Sequence, residues 1–165
     1  YHEYQDYGRH DVDFDKFMAI MNPKSVLDVG CAYGYIVKRC LDKGIHAIGV
    51  DISKWCEEQA DKIIPLHFIC SPAWDLHHFG DKEFDVLYCE GVLEHIPEDK
   101  IELVMKEFAR VAHRRYLGVS PDCPQTDYHI CNHDIKWWFD RVPPMTWLGM
   151  TGRSLDLEDR WLIKT

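Results

Sequence analysis

The segment that most constrains the fold is VLDVGCAYG at residues 26–34, which is followed by AIGVDIS at residues 47–53. Its first residues form a short, β-branched apolar run, which is typical of a strand buried on both faces of a parallel sheet. Gly30 and Gly34 then predict a turn in which backbone amides and a helix N-terminus approach a ligand closely. Asp51 ends the second strand, where a carboxylate can accept hydrogen bonds from both hydroxyls of a ribose. The two segments together predict a nucleoside site.

Strand-like apolar runs alternate with helix-like segments along the chain, which predicts an α/β fold with a mostly parallel, doubly wound sheet. The parallel strands are predicted at residues 25–29, 47–50, 66–70, 84–88 and 116–119. The helices are predicted at residues 14–21, 35–42, 54–61, 98–113 and 134–142. A closing antiparallel pair is predicted at residues 145–149 and 161–164. With 165 residues, the chain is expected to form a single domain over residues 1–165.

Charge and composition exclude several classes of partner. The net charge of −9 would repel a phosphate backbone, so nucleic acid is disfavoured as a substrate. The basic cluster of Arg110, Arg114 and Arg115 is predicted at a helix end, where cations complement the helix dipole. No apolar stretch reaches the roughly 18 residues that span a bilayer, so we expect no membrane association and a cytoplasmic location. The seven cysteines include no CxxC pair and are interpreted as reduced thiols, and the oligomeric state stays open.

The spacing of the glycine turn distinguishes between two cofactor classes. A dinucleotide fold requires G-x-G-x-x-G, whose second glycine makes room for a pyrophosphate. Here Cys31 and Ala32 follow Gly30, and the next glycine is Gly34, so no pyrophosphate clamp is present. Asp28, in the strand end before the turn, can face a cationic ligand rather than a phosphate. A nicotinamide-dependent oxidoreductase is therefore the weaker alternative.

These motifs resemble the class I S-adenosylmethionine-dependent methyltransferases. The resemblance implies a Rossmann-like methyltransferase fold, S-adenosyl-L-methionine as cofactor, and methyl transfer to a small-molecule substrate. In this family the glycine turn lies against the methionine half of the cofactor, and the acid after strand 2 binds the ribose. Residues 70–76 match the family's adenine loop, and residues 84–97 match its motif after strand 4. The cofactor-binding residues implied are Asp28, Gly30, Cys31, Ala32, Tyr33, Gly34, Asp51, Ile52, Trp74, Asp75, Cys89 and Glu90.

Three residues are candidates for catalysis at the acceptor: Glu94, His95 and His129. The Leu-Glu-His run after strand 4, with a histidine and a Trp-rich segment after strand 5, resembles sugar and other small-molecule O-methyltransferases. That resemblance implies a hydroxyl acceptor on a sugar or similar polar compound. Some relatives, including ubiquinone-pathway and small-RNA 2′-O-methyltransferases, bind a divalent metal through E-x-x-E-H. Gly91 stands where the first Glu would be, so a divalent metal stays an open alternative and no metal ligand is assigned.

Further interpretations stay open alongside this one. A structural zinc site would use Cys123, His129, Cys131 and His133, although C-x5-H-x-C-x-H is not a familiar zinc spacing. An aromatic lid over the acceptor would be formed by Tyr1, Tyr4, Tyr7, Trp137 and Trp138. The alternative function is a catalytically inactive, methyltransferase-like module that binds the cofactor or a partner protein.

Overall fold

A computed structural model of the chain describes residues 9–119, 128–141, 146–150 and 160–164. The first half of the described chain contains α1 (Arg9–Met21), β1 (Ser25–Val29), α2 (Tyr35–Asp42), β2 (His46–Asp51), α3 (Lys54–Ala60), β3 (Phe68–Cys70) and β4 (Phe84–Glu90). After a 3-10 turn at Leu93–His95, the second half contains α4 (Glu98–Val111), β5 (Ala112–Val119), α5 (Ile135–Arg141), β6 (Thr146–Met150) and β7 (Arg160–Lys164). Tyr1, Tyr4, Tyr7 and Cys123 lie outside the described residues.

The described strands form one sheet in the order β3-β2-β1-β4-β5-β7-β6. Strands β1 to β5 pair in parallel, as the alternation of apolar runs and helices predicts. Strand β7 pairs antiparallel with both β5 and β6. The strand order reverses between β1 and β4, and in open α/β sheets the crevice at such a reversal, beyond the carboxyl ends of the strands, holds the ligand. The topology therefore places the candidate site beyond the carboxyl ends of β1 and β4.

Both faces of the sheet are covered, because alternate residues of each buried strand point to opposite sides. On one face, Phe17 of α1 packs edge-on against Tyr88 and Tyr116, with ring centroids 5.0 and 5.3 Å away. On the other face, Phe108 of α4 and Trp138 of α5 belong to a second buried cluster. Trp138 has no exposed surface, so its predicted place in an aromatic lid is wrong: its indole ring fills the core instead.

The predicted end of the fourth long helix is also wrong. The helix α4 stops at Val111 and β5 begins directly at Ala112, whereas the sequence pattern favoured helix to residue 113 and strand from residue 116. Two arginines near this boundary resemble the cations that end a helix, but each one binds a distant part of the chain. Arg110 donates to the Leu76 and Phe79 carbonyls, whereas Arg114, already in β5, pairs with Asp85 and donates to Met21 O.

Two strand ends differ from prediction in a way that affects the site. The strand β4 extends further than predicted, so that Glu90 is its last residue, whereas β2 ends at Asp51, the acid predicted at its carboxyl end. The strand β3 starts later, at Phe68, because Leu66 is 95% exposed and has a left-handed backbone (φ 67°). Within the described ranges, no helix combines the length and apolar character that crossing a membrane requires.

Candidate functional site

The glycine turn after β1 is held beneath the end of β2. Gly30 N and Cys31 N both donate to Val50 O, at 2.7 and 3.1 Å, and Gly34 N donates to Cys31 O at 2.8 Å. Gly30 and Gly34 both have φ of 81°, a conformation that L side chains rarely adopt. At Gly30, an added Cβ would lie 2.1 Å from Val92 Cγ2, so the loop after β4 packs directly on the turn. The turn is therefore closely packed at the crevice between β1 and β4.

Asp51 connects the end of β2 to the same turn. Its carboxylate accepts hydrogen bonds from Ala32 N at 3.0 Å and Ser53 N at 2.9 Å. Burial raises the pKa of Asp51, although these amides and that of Ile52 act in the opposite direction. Ile52 itself is exposed next to the carboxylate. The carboxylate is thus fixed in position at the carboxyl edge of the sheet, where the sequence analysis predicts a ribose site.

The predicted adenine segment forms a compact loop after β3. Ser71 Oγ donates to Asp75 O at 2.7 Å, and Trp74 is partly buried against the core. Asp75 Oδ1 lies 2.6 Å from His77 Nδ1, and the hydrogen bond from this histidine lowers the pKa of Asp75. The structure thus pairs the predicted adenine-binding acid with a histidine that the sequence analysis did not single out.

The remaining turn residues are largely buried. Cys31, Ala32 and Tyr33 each expose less than a tenth of their surface, and Tyr33 OH accepts a hydrogen bond from Trp55 Nε1 at 3.2 Å. Cys89 is fully buried in β4. Burial raises the pKa values of the Cys31 and Cys89 thiols well above their ordinary range, so both stay protonated. These side chains therefore pack within the turn and β4, and neither thiol is a reactive thiolate.

Asp28 and Glu90 bring two further carboxylates to the ends of the adjacent strands. Asp28 is only 3% exposed, and its pKa is raised well above the ordinary value by burial and then by the negative charges of Asp51 and Glu90. Tyr88, two residues before Glu90 in β4, donates a hydrogen bond to the Glu90 carboxylate. Three predicted cofactor-binding acids thus act on one another at the carboxyl edge of the sheet.

The three predicted catalytic residues are also brought together. One ligand atom from each of Glu94, His95 and His129 lies within 4.8 Å of the others, and the rings of His95 and His129 have centroids 4.7 Å apart. Backbone hydrogen bonds hold this arrangement, because the amides of residues 130 and 131 both donate to Glu94 O at 3.0 Å. His95 Nδ1 lies 2.8 Å from Tyr128 O. Since a carbonyl only accepts, Nδ1 carries the proton and Nε2 presents its lone pair.

The predicted zinc ligands do not converge. Of the described members, Cys131 is buried, and burial raises the pKa of its thiol to about 11. His133 Nε2 instead lies 3.0 Å from Glu98, and its ring stacks on Trp137 with centroids 3.8 Å apart. Within the described residues the zinc hypothesis is therefore wrong: His129 faces His95, whereas Cys131 and His133 pack elsewhere.

Three contributors to the site were missed by sequence reasoning: the Val92 side chain over the turn, the Tyr88 phenol on Glu90 and the Tyr128 carbonyl on His95. Tyr88 could have been found, because residues two apart in a strand share a face. The other two contacts join segments that are distant in sequence, and no local pattern reports them.

Comparison with known proteins gives a family match and a fold match. A family model described as "Methyltransferase domain" matches residues 26–114. The curated "Ubiquinone biosynthesis O-methyltransferase" of Aromatoleum aromaticum is 33% identical over 84 residues, which cover 46% of this chain and 34% of that protein. The chain thus spans about a third of the length of this relative.

Two solved structures share the fold. The PH0226 protein from Pyrococcus horikoshii has a TM-score of 0.78 at 18% identity, covering 96% of this chain and 91% of that one. The N-terminal domain of EvdMO1, crystallised in the presence of S-adenosylhomocysteine and D-fucose, has a TM-score of 0.73 at 14% identity. That match covers 96% of this chain and 83% of the EvdMO1 chain.

Proposed function

We propose that this chain, which belongs to the class I S-adenosylmethionine-dependent methyltransferases, transfers the methyl group of the cofactor to a hydroxyl oxygen of a small polar molecule. The observation that carries the proposal is the convergence of Glu94, His95 and His129 next to the crevice between β1 and β4. Relatives named as O-methyltransferases support an oxygen acceptor. Crystals of the EvdMO1 domain were grown with a sugar, which supports a polar one.

In this proposal the cofactor lies along the ends of β1, β2 and β4. Its methionine half contacts the turn from Gly30 to Gly34 and the end of β4 at Cys89 and Glu90. Asp51 would accept hydrogen bonds from the ribose hydroxyls, and its carboxylate is held in place by Ala32 N of the turn and by Ser53 N after β2. Trp74, Asp75 and exposed Ile52 border the adenine. This placement follows the rule that α/β sheets bind ligands beyond the carboxyl ends of their strands.

The acceptor hydroxyl would be activated by the histidines. Methyl transfer is an in-line displacement, so the acceptor oxygen must approach the methyl carbon opposite the sulfur, and positioning supplies much of the rate. A hydroxyl also has to lose its proton, and the His95 Nε2 lone pair is available to accept it because Nδ1 is bound to Tyr128 O. We assign His95 as the base, with His129 and Glu94 orienting the acceptor.

A divalent cation fits the same cluster. Two imidazoles and one carboxylate within 4.8 Å of one another form a donor set that suits divalent transition metals. Glu94, His95 and His129 would be the residues that hold the ion, and a bound ion would lower the pKa of a coordinated hydroxyl. Gly91 supplies no fourth ligand, although an added Cβ there would meet no atom within 4 Å.

The side chains around the cluster favour a ring-shaped polar acceptor. Tyr128 is 77% exposed directly before His129, and its ring offers a stacking surface of the kind that suits the apolar face of a sugar. Ile130 is also exposed and adds an apolar contact. A flat polar molecule could therefore rest on these side chains while one hydroxyl reaches His95.

The test combines binding with turnover. Thermal-shift and calorimetric titrations with S-adenosylmethionine, S-adenosylhomocysteine and NAD should show binding of the first two only. Labelled methyl transfer to a panel of sugars and other hydroxyl compounds should then fall about 100-fold or more in His95→Ala, and should also fall in His129→Ala, with cofactor affinity unchanged in both variants. His113→Ala, an exposed histidine at the opposite end of β5, is the matched control. Cofactor binding without turnover on any acceptor would favour the inactive module, and stabilisation by NAD alone would favour an oxidoreductase.

A further inference from the structure

We propose, on the basis of the methyl-transfer function above, that Arg110 and Glu107 of α4 are positioning residues for the purine base of the cofactor. They hold the loop after β3, at residues 71–76, in an arrangement that distinguishes adenine from other purines. The sequence analysis places Arg110 at a helix end and does not single out Glu107. The two residues are three positions apart near the end of α4, so they share one face of the helix.

The two side chains bind both main-chain polar groups of one loop residue, Leu76. Leu76 N donates a hydrogen bond to Glu107 Oε2 at 3.0 Å, and Leu76 O accepts one from Arg110 Nη2 at 2.9 Å. Arg110 Nη1 also donates to Phe79 O at 2.7 Å, three residues further along the chain. The main chain after β3 is therefore attached to α4 at three points, and the partner at each point is a charged side chain.

Arg110 and Glu107 also hold each other in place. Arg110 Nε and Nη2 donate to the two carboxylate oxygens of Glu107, both at 2.8 Å. Pairing of a guanidinium with a carboxylate at two points fixes the direction of both groups as well as the distance between them. The hydrogen bond from Arg110 lowers the pKa of Glu107, so the carboxylate stays ionised. Burial of the Leu76 side chain anchors the loop in the core, and the ion pair adds a fixed position for its main chain.

Asp75 directly precedes the bound residue, and its main chain is held from the other side as well. Asp75 O accepts a hydrogen bond from Ser71 Oγ at 2.7 Å, and Asp75 N donates to Pro72 O at 3.0 Å. Leu76 is fully buried, whereas 52% of the Asp75 side chain is exposed. The Asp75 carboxylate therefore lies on the accessible side of a main chain that is fixed at both of its ends.

The loop begins next to the acid that is proposed to bind the ribose. Ser71 N donates to Asp51 O at 3.0 Å, and Cys70 is the Cα partner of Asp51 in the sheet. A nucleoside whose ribose hydroxyls bind Asp51 therefore has its base next to residues 71–76. The position of this loop determines which groups the edge of the base meets.

The expected consequence is a preference among purines. Asp75 borders the adenine in the proposed placement, and the hydrogen bond from His77 lowers the pKa of Asp75, so its carboxylate is ionised. An ionised carboxylate accepts hydrogen bonds but donates none, so it favours the 6-amino group of adenine over the 6-oxo group of hypoxanthine. Because a hydrogen bond weakens steeply away from its ideal geometry, the preference depends on how precisely the Arg110–Glu107 pair holds the loop.

Calorimetry on the purified chain tests this with S-adenosylhomocysteine and with S-inosylhomocysteine, in which oxygen replaces the 6-amino group. The unaltered chain should bind the adenosyl ligand about tenfold more tightly or better, because the inosyl ligand loses a hydrogen bond to a charged group. Arg110→Lys keeps the positive charge but cannot bind Glu107 at two points while reaching Leu76 O, so the preference should fall to about twofold.

Arg114→Lys is the matched control. Arg114 also binds a carboxylate at two points, that of Asp85, and donates to a main-chain carbonyl, that of Met21 at the end of α1. The two arginine side chains are similarly exposed, at 28% for Arg110 and 30% for Arg114. Loss of this second ion pair should leave the preference for the adenosyl ligand unchanged, because Arg114 does not bind the loop.

The ratio of the two affinities separates positioning from a merely structural role. If Arg110→Lys does not fold, Glu107→Gln decides, since it removes the charge of the pair but keeps an oxygen acceptor for Leu76 N, and the ratio should again fall. An unaltered chain that binds both ligands equally, or a variant that loses affinity for both ligands by the same factor, overturns the inference. Failure of the unaltered chain to bind either ligand overturns the proposed function instead.

Discussion

Replacing Gly30 with alanine tests whether close packing, and not only backbone conformation, keeps the turn after β1 free of side chains. Gly30 has φ of 81°, and an added Cβ would lie 2.1 Å from Val92 Cγ2 and 3.2 Å from Val92 Cβ. Rotation of the valine relieves this contact only in part, since Val92 Cβ itself stays 3.2 Å from the added atom. Gly44 is a matched control, because its φ is 74° but its Cβ position meets nothing within 4 Å.

The two substitutions should therefore differ in the free energy of unfolding. A left-handed alanine costs about 1–2 kcal/mol, of which about 0.4–1 kcal/mol is offset by the lower entropy of the unfolded chain. We expect Gly44→Ala to cost about 1 kcal/mol. Gly30→Ala adds an overpacking cost of about 1–3 kcal/mol, for a total of about 2–4 kcal/mol. It should also weaken cofactor binding, because Val92 or the turn must shift.

Urea unfolding of both variants and of Gly30→Ala combined with Val92→Ala measures these costs. The double variant should be more stable than the sum of its single effects indicates, since Val92→Ala removes both methyl groups that the new Cβ meets. Equal destabilisation by Gly30→Ala and Gly44→Ala, with no coupling to Val92, would refute the packing explanation and leave backbone strain alone.

Two further predictions concern the core and the buried acid. Trp138→Ala should cost about 3–5 kcal/mol in urea unfolding, because the ring is fully buried, whereas Trp137→Ala, on the partly exposed stack with His133, should cost less. Asp28→Asn should stabilise the ligand-free chain increasingly as pH rises above the ordinary aspartate pKa of about 3.9. The raised pKa means that the folded state favours the protonated form of Asp28. The stability that this protonated form contributes is fully present below the pKa of the unfolded chain, and it is lost as the pH rises towards the pKa of the folded chain. Melting temperatures from pH 4 to 8 measure the effect, and a difference independent of pH would contradict it.

The parallel core of the fold could be predicted because its information is local. The apolar runs around Val26 and Val86 are short, and a short apolar run is typical of a strand that is buried on both faces of a parallel sheet. The α4–β5 boundary could not be predicted. Arg114 looks like a helix-terminal cation, and only the distant Asp85 and the carbonyl of Met21 explain why it lies in a strand.

The candidate site divides in the same way. The placement of Gly30 and Asp51 in the site could be predicted from their spacing in the sequence, because the carboxyl ends of parallel strands meet at one edge of the sheet. The proximity of His95 and His129 depends on backbone hydrogen bonds to Glu94 O, which no side-chain pattern encodes. The burial of Trp138 depends on how α5 packs, and a Trp-rich segment is equally compatible with a surface.

Main-chain groups of Tyr128, Ile130 and Cys131 attach this segment to the Glu94 carbonyl and to the His95 ring, and the side chains of Tyr128 and Ile130 are exposed. Substitutions at these two exposed positions can therefore alter the surface that an acceptor meets without displacing His129. The residues that determine which acceptor binds are therefore separate from those that position the reacting groups. Acceptor preference can change, in evolution or in a laboratory library, while His95 and His129 keep their positions.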